Sequence, residues 1–194
     1  MTPGLRERKK LKTRAAIQRE AMRLFTQKGF QATTIEEIAE AVEISPSTFF
    51  NYFPSKAALV LEDDLDPVII AAFNAQPPDI HPVAALRQAM RRVFAELPRE
   101  DELMLRQRTA LVGTDPDIRT AMLDQFTGLV EQLASVLAAR MDRPANDFRI
   151  RNLAGALIGV IMAALLAAAH TPEADLVQLM DDAMAHLQAG LPLE

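Results

Sequence analysis

The chain has no cysteine, and with that go disulfide stapling, thiolate zinc sites and cysteine nucleophiles. Histidine is nearly as scarce: His81, His170 and His186 stand far apart and make no ligand-spaced pair. Neither a glycine-rich phosphate loop nor a nucleophile elbow is present. Glu62, Asp63, Asp64 and Asp66 are the one dense carboxylate group, and they lack the spacing and the glycine of an EF-hand. A solvated acidic patch that repels DNA suits them better than a metal site. Runs of alternating β-branched residues are missing, so strands are not expected. No apolar h-region follows the basic N-terminus, so no secretory signal is expected. These absences argue against an enzyme, a metal and a cofactor, and they suit a cytoplasmic protein.

What is present is helix. Of 194 residues 49% are hydrophobic and 24% charged, enough to bury a sizeable core in one large domain or a small domain joined to a larger one. The net charge of −5 averages two unlike halves. Residues 1–60 carry ten Lys/Arg against six Asp/Glu, and the remainder carries eleven against twenty. A basic end on an acidic body is the electrostatic footprint of a nucleic-acid binder whose other part avoids the polyanion.

Apolar spacing predicts a first helix from about Arg6 to Lys28, ended by Gly29. Thr34 caps a second helix, with Glu37 completing a capping box and Ile35, Ile38, Ala39 and Val42 as its buried stripe. Ser45-Pro46 restarts the chain as cap and first helical residue, opening a short third helix to about Phe53. Ser55 caps a fourth helix toward Phe73, with a break at Asp66-Pro67 left open. Further amphipathic helices are expected at about Pro82–Leu97, Glu100–Val112, Pro116–Met141, Asn146–Ala169 and Pro172–Ala189, about nine in all.

Two short helices joined by Glu43-Ile44-Ser45 suit a helix-turn-helix. Its second helix must offer small polar groups where it meets base edges. Pro46, Ser47 and Thr48 fit, with Asn51 and Tyr52 a turn later, while Phe49 and Phe53 pin the helix to the core. The stretch TTIEEIAEAVEISPSTFFNYFPSK, Thr33 to Lys56, resembles the DNA-binding domain of the TetR family. Thr33-Thr34, Ile38-Ala39, Ser45, Phe50, Tyr52-Phe53 and Lys56 carry the likeness, and Ala15 to Phe30 resembles that family's first helix and turn. The resemblance implies a DNA-binding domain at 1–54 and a helical effector-binding and dimerisation domain at 55–194. It implies that Thr34, Tyr52 and Lys56 touch phosphate, that Pro46, Ser47, Thr48 and Asn51 face bases, and that Thr33 and Ser45 stand among the DNA-binding residues. Two departures stand out. Phe50 replaces the family's frequent tyrosine, and Glu43 replaces its frequent turn glycine, which leaves open whether the turn needs a positive φ.

The body contains LAGALIGVIMAALLAAA, Leu153 to Ala169, without a charge. About 20 apolar residues usually make a membrane span; this run is shorter, rich in Ala and Gly, and followed by Pro172. An apolar face there asks for cover, and the same helix of a second copy supplies it, with Gly155, Leu157 and Gly159 at the contact. The family resemblance implies the same homodimer, on a pseudo-palindromic operator. Candidate effector-lining residues are Phe73, Met90, Phe94, Met104, Met122, Phe126 and Met162, each also at home in plain core. Arg106 and Arg108 are placed to meet an anionic group. The segments STFFNYFPSK, LEDDLDP and RTALVGTDPDIRTAML are similar to TetR-type regulators of the mycofactocin-regulator kind, with a C-terminal domain for an acyl-CoA-like ligand. That resemblance implies a repressor released by an amphipathic, acyl-CoA-like effector. The rival readings are a helical adaptor whose basic N-terminus binds acidic partners, and an enzyme.

Overall fold

Helical periodicity becomes ten α-helices in the structure, a computed structural model that describes residues 4–62, 65–171 and 173–193. They are α1 (Leu5–Lys28), α2 (Ile35–Ala41), α3 (Pro46–Phe50), α4 (Ala58–Leu61), α5 (Leu65–Asn74), α6 (Pro82–Ala95), α7 (Arg99–Thr114), α8 (Pro116–Met141), α9 (Phe148–His170) and α10 (Leu176–Gln188). All regular structure among the described residues is helical. Contacts divide the chain into two units, 1–62 and 63–194.

In the first unit α1 buries Ile17, Ala21, Met22 and Phe25 against its neighbours. It ends at Gly29, whose φ of 88° and ψ of 157° suit only glycine. Thr34 closes the expected capping box: its hydroxyl accepts from the Glu37 N–H at 3.2 Å, and its own N–H donates to Glu37 Oε2 at 2.9 Å. The turn after α2 is a Schellman motif. The Glu43 N–H reaches the Glu40 carbonyl at 3.0 Å and the Ile44 N–H reaches the Ala39 carbonyl at 3.0 Å. Glu43 holds the left-handed position with φ 56°, which settles what its glycine replacement means: an L residue bears the strain there.

The fourth helix is not continuous. The Ser55 hydroxyl accepts from the Ala58 N–H at 3.2 Å as expected, but the cap position of α4 is Ala57, and α4 stops at Leu61 with Glu62 extended. Pro67 is the third residue of α5, where its missing N–H costs nothing. The break therefore precedes Leu65 instead of falling at Asp66-Pro67; Asp63 and Asp64 of the acidic group lie outside the described residues, as does Pro172. The seam between units also comes eight residues later than 54, because α4 packs on α1.

In the second unit α9 is the hub, touching α7, α8 and α10, while α6 joins α5 and α10. Arg140 of α8 gathers the α5–α6 loop, donating to the carbonyls of Phe73 and Gln76 at 3.2 Å with its guanidinium over the Phe73 ring. Arg87 of α6 forks onto both oxygens of Asp181 on α10 at 3.1 and 3.0 Å. Where α7 meets the end of α9, Gly113 lets the backbones touch: a Cβ there would lie 2.4 Å from the Ala169 carbonyl oxygen.

Candidate nucleic-acid interface

The second helix of the helix-turn-helix is oriented by two rings. Phe49 and Phe53, one turn apart, are fully buried with centroids 6.0 Å apart. Losing either would cost about 3–5 kcal/mol. Their burial leaves Pro46, Ser47, Phe50 and Asn51 exposed together on the opposite face. Ser45 caps α3, accepting from the Thr48 N–H at 3.1 Å, and its hydroxyl lies 2.8 Å from those of both Ser47 and Thr48. Three hydroxyls thus converge at the start of α3, each able to turn as donor or acceptor.

Phe50 belongs on this face although the resemblance did not place it among the contacts. It is 53% exposed, edge-on to Phe49. Its position four residues after Pro46 and three after Ser47 was the available signal. An exposed ring on such a face suits the methyl group of thymine.

Two expected contacts are placed differently. Thr33 is 1% exposed, and its hydroxyl donates inward to the Gly29 carbonyl at 2.8 Å, so its side chain is committed to the turn. Lys56 is half-buried; its ammonium donates to the Phe30 carbonyl at 2.7 Å and the Thr33 carbonyl at 2.9 Å, over the Phe30 ring. Two carbonyls and a ring face satisfy an ammonium group well, which is why it turns inward. Thr34 stays exposed at the α2 N-terminus. Beside it Lys28 pairs with Glu37; that ammonium group and the Thr34 N–H hold the Glu37 carboxyl below its ordinary value.

The exit of α3 is tied back to α1. Arg14 donates to the Tyr52 carbonyl at 3.1 Å and to Glu62 Oε2 at 3.2 Å, with its guanidinium over the Phe53 ring. Gln18, buried, donates to the carbonyls of Leu59 at 2.9 Å and Glu62 at 2.8 Å. Tyr52 itself is half-buried.

In the second unit a cavity of about 150 Å³ lies between α7, the end of α9 and the start of α10, with Leu105, Thr109, Leu176 and Val177 in its wall. Of the expected effector-lining residues, Arg106 borders it, paired with Glu102 at 3.2 Å. Phe73, Met90, Met122 and Arg108 are buried, while Met104, Phe126 and Met162 are half-buried. Met90 and Phe94 border a cleft beside Arg87 and Asp181 that is too tight to admit a water molecule. The cavity of about 150 Å³ beside Arg106 holds a benzene-sized group, whereas larger ligands occupy about 300 Å³ or more. Among the described residues no group of three or more His, Asp or Glu is arranged to hold a metal.

The apolar helix α9 is long enough to cross a membrane by length and composition alone, with mean hydropathy 2.2 over a window of which 22% is buried within the chain. Ile150, Ala154, Leu157, Ala164 and Ala168 form its buried side. Leu157, expected at the contact with a second copy, is instead wholly inside its own core. A helix apolar all round gives its sequence no phase, so only packing could decide this. Asn152, Gly159, Ala163 and Ala167 are exposed, Gly155 is half-buried, and a Cβ at either glycine would meet open space.

Residues 17–62 match the family described as bacterial regulatory proteins, tetR family, and residues 80–192 match the MftR C-terminal domain. The transcriptional regulator TcmR of Streptomyces glaucescens is 36% identical over 157 residues, 77% of this chain and 70% of that one. MftR of Mycobacterium tuberculosis, named for regulation of mycofactocin biosynthesis, is 26% identical over 147 residues, 74% of this chain and 73% of its own. Among solved structures, Thermus thermophilus FadR, a TetR-family repressor in complex with lauroyl-CoA, is 28% identical with a TM-score of 0.56, covering 93% of this chain and 96% of FadR.

Proposed function

Since this chain belongs to the TetR family of ligand-responsive transcriptional regulators, we propose that it represses transcription from the cytoplasm as a homodimer on a pseudo-palindromic operator, and that an acyl-CoA-like effector releases it. One observation supports the DNA reading above the rest. Burial of Phe49 and Phe53 turns Pro46, Ser47, Phe50 and Asn51 outward as one face, with the Ser45 and Thr48 hydroxyls at its start. Ser47, Thr48, Asn51 and Phe50 read base edges; Thr34 and Tyr52 meet phosphate. Catalysis has no part in this reading.

In a dimer, the two copies of α3 enter successive major grooves about 34–36 Å apart. The exposed side of α9, from Asn152 through Gly159 to Ala167, is the face that a second copy covers. Selection from a random duplex pool should enrich an inverted repeat with half-sites one helical turn apart. Enrichment of nothing, or of a single unrepeated site, defeats the reading.

The effector is assigned by likeness to the FadR complex and by the cavity beside Arg106. An acyl chain needs that cavity to widen, so ligand binding and a change in α7, α9 and α10 are one event. The effector's leverage is its affinity difference between the two states; a hundredfold difference is about 2.7 kcal/mol per site. Acyl-CoAs of graded chain length, titrated against a preformed operator complex, should release it, with Arg106→Ala weakening release. Equal affinity for the free and DNA-bound protein excludes the switch, because coupling is reciprocal.

A further inference from the structure

Phe148 opens α9 and is 79% exposed, a large ring standing in water. It lies eleven residues before Gly159, about three turns of helix, so it continues the exposed side of α9 that runs through Asn152 and Gly159. An aromatic ring at the edge of such a face suits the anchor of an interface, and an anchor needs a pocket on the other side.

A pocket of matching size lies at the far end of the same helix. Ala110, Ala168, Ala169 and Ala174 keep its walls short, leaving the cavity of about 150 Å³, which is room for one benzene ring. The mouth carries the carboxylates of Glu102 and Asp175 as well as Arg106. Arg149, exposed beside Phe148, is a complementary charge for them.

Two-fold symmetry relates the ring to the cavity. In an antiparallel pair of α9 helices crossing at Gly159, residues equally far from that glycine stand level with one another. Phe148 of the partner subunit then stands level with His170, next to Ala168 and Ala169 of the cavity wall. A parallel pair instead brings together Arg149 and the positive helix N-terminus of both copies, which repel. Steeply crossed helices diverge by about 10 Å, one interhelical spacing, over those three turns. A tilt toward α7 therefore sets the ring over the mouth.

We propose that Phe148 of the partner subunit inserts its ring into the cavity between α7, the end of α9 and the start of α10, reciprocally in each protomer, and that an acyl effector entering the cavity expels it. The inference rests on the homodimer and effector readings above and deepens both: effector binding and the fit of the two protomers become one equilibrium.

The test exploits a chain without cysteine. Phe148→Cys and Ala110→Cys proteins, mixed and allowed to exchange subunits, should be joined by a short bismaleimide. Phe148→Cys alone should not be, because the two copies of residue 148 lie about 33 Å apart in the antiparallel pair. Bound lauroyl-CoA should suppress the mixed crosslink. Phe148→Ala should keep the circular dichroism of the wild type, since the ring touches little of its own protomer. It should raise the dimer dissociation constant about thirtyfold or more, as loss of an interface anchor does. Ready crosslinking of Phe148→Cys to itself, or an unchanged dissociation constant, overturns the proposal. So does a mixed crosslink that never forms, or one that persists with lauroyl-CoA bound. A wild type that sediments as a monomer at every concentration defeats the dimer reading itself, which is a different result. Failure of lauroyl-CoA to bind at all defeats the effector reading alone.

Discussion

The Lys56 ammonium nitrogen lies 2.7 Å from the carbonyl oxygen of Phe30 and 4.3 Å from the centre of the same residue's ring. One cation thus holds both the backbone and the face of the residue that follows the α1 turn. A half-buried charge bound to two carbonyls stabilises by more than a neutral hydrogen bond does. Lys56→Ala should therefore lower stability by about 1–3 kcal/mol without DNA present, read by thermal or urea unfolding. An unchanged midpoint, with weaker binding to every sequence, would return Lys56 to the phosphate role that the family resemblance implies.

Glu43 sits at φ 56° in the Schellman turn between α2 and α3. An L residue there is strained by roughly 1–2 kcal/mol, part of which glycine gives back through its greater unfolded-state entropy. Glu43→Gly should raise stability by up to about 1 kcal/mol, whereas Gly29→Ala, in a conformation nearly reserved for glycine, should lower it by about 1–3 kcal/mol. Opposite signs in one urea series are the check; equal signs exclude this reading of the two turns.

Arginine at Gly159 projects into open space on α9. Gly159→Arg should give a folded monomer by sedimentation and circular dichroism, with operator binding lost. Arginine at Leu157 should instead unfold the second unit, because that side chain is wholly buried. A Gly159→Arg protein that remains a dimer places the dimer contact elsewhere.

The fork from Arg87 holds the Asp181 carboxyl below its ordinary value, joining α6 to α10. A lowered folded pKa contributes stability above the unfolded value and loses it as pH falls through the folded one. Stability should therefore drop as pH goes below the ordinary carboxylate range, and Asp181→Asn should remove part of that slope. Parallel pH profiles for the two proteins count against the linkage.

Local chemistry explains how much was legible. The Thr34 capping box, the Ser45-Pro46 start and the Gly29 stop are short-range signals, and each helix end stands where its residues required it. The inward bonds of Lys56 and Thr33 were not legible because their acceptors, the carbonyls of Phe30, Thr33 and Gly29, come together only once the turn has formed. Leu157 was misplaced because an apolar helix carries no inward phase. The candidate effector-lining residues were the least legible: methionine and phenylalanine pack a core and line a pocket equally well, and of those candidates it is Arg106 that borders the cavity of about 150 Å³.

Arg14 and Gln18 also decide where this chain may be cut and rejoined. Arg14 reaches forward to Glu62, and Gln18 to Leu59 and Glu62, so a reader exchanged between homologues at residue 54 would leave two α1 side chains facing a foreign segment. A junction after Glu62 carries the whole clamp along with the helix it steadies. Hybrid regulators that pair this reader with another sensing body should thus work when spliced at 62, and fail or fold poorly when spliced at 54.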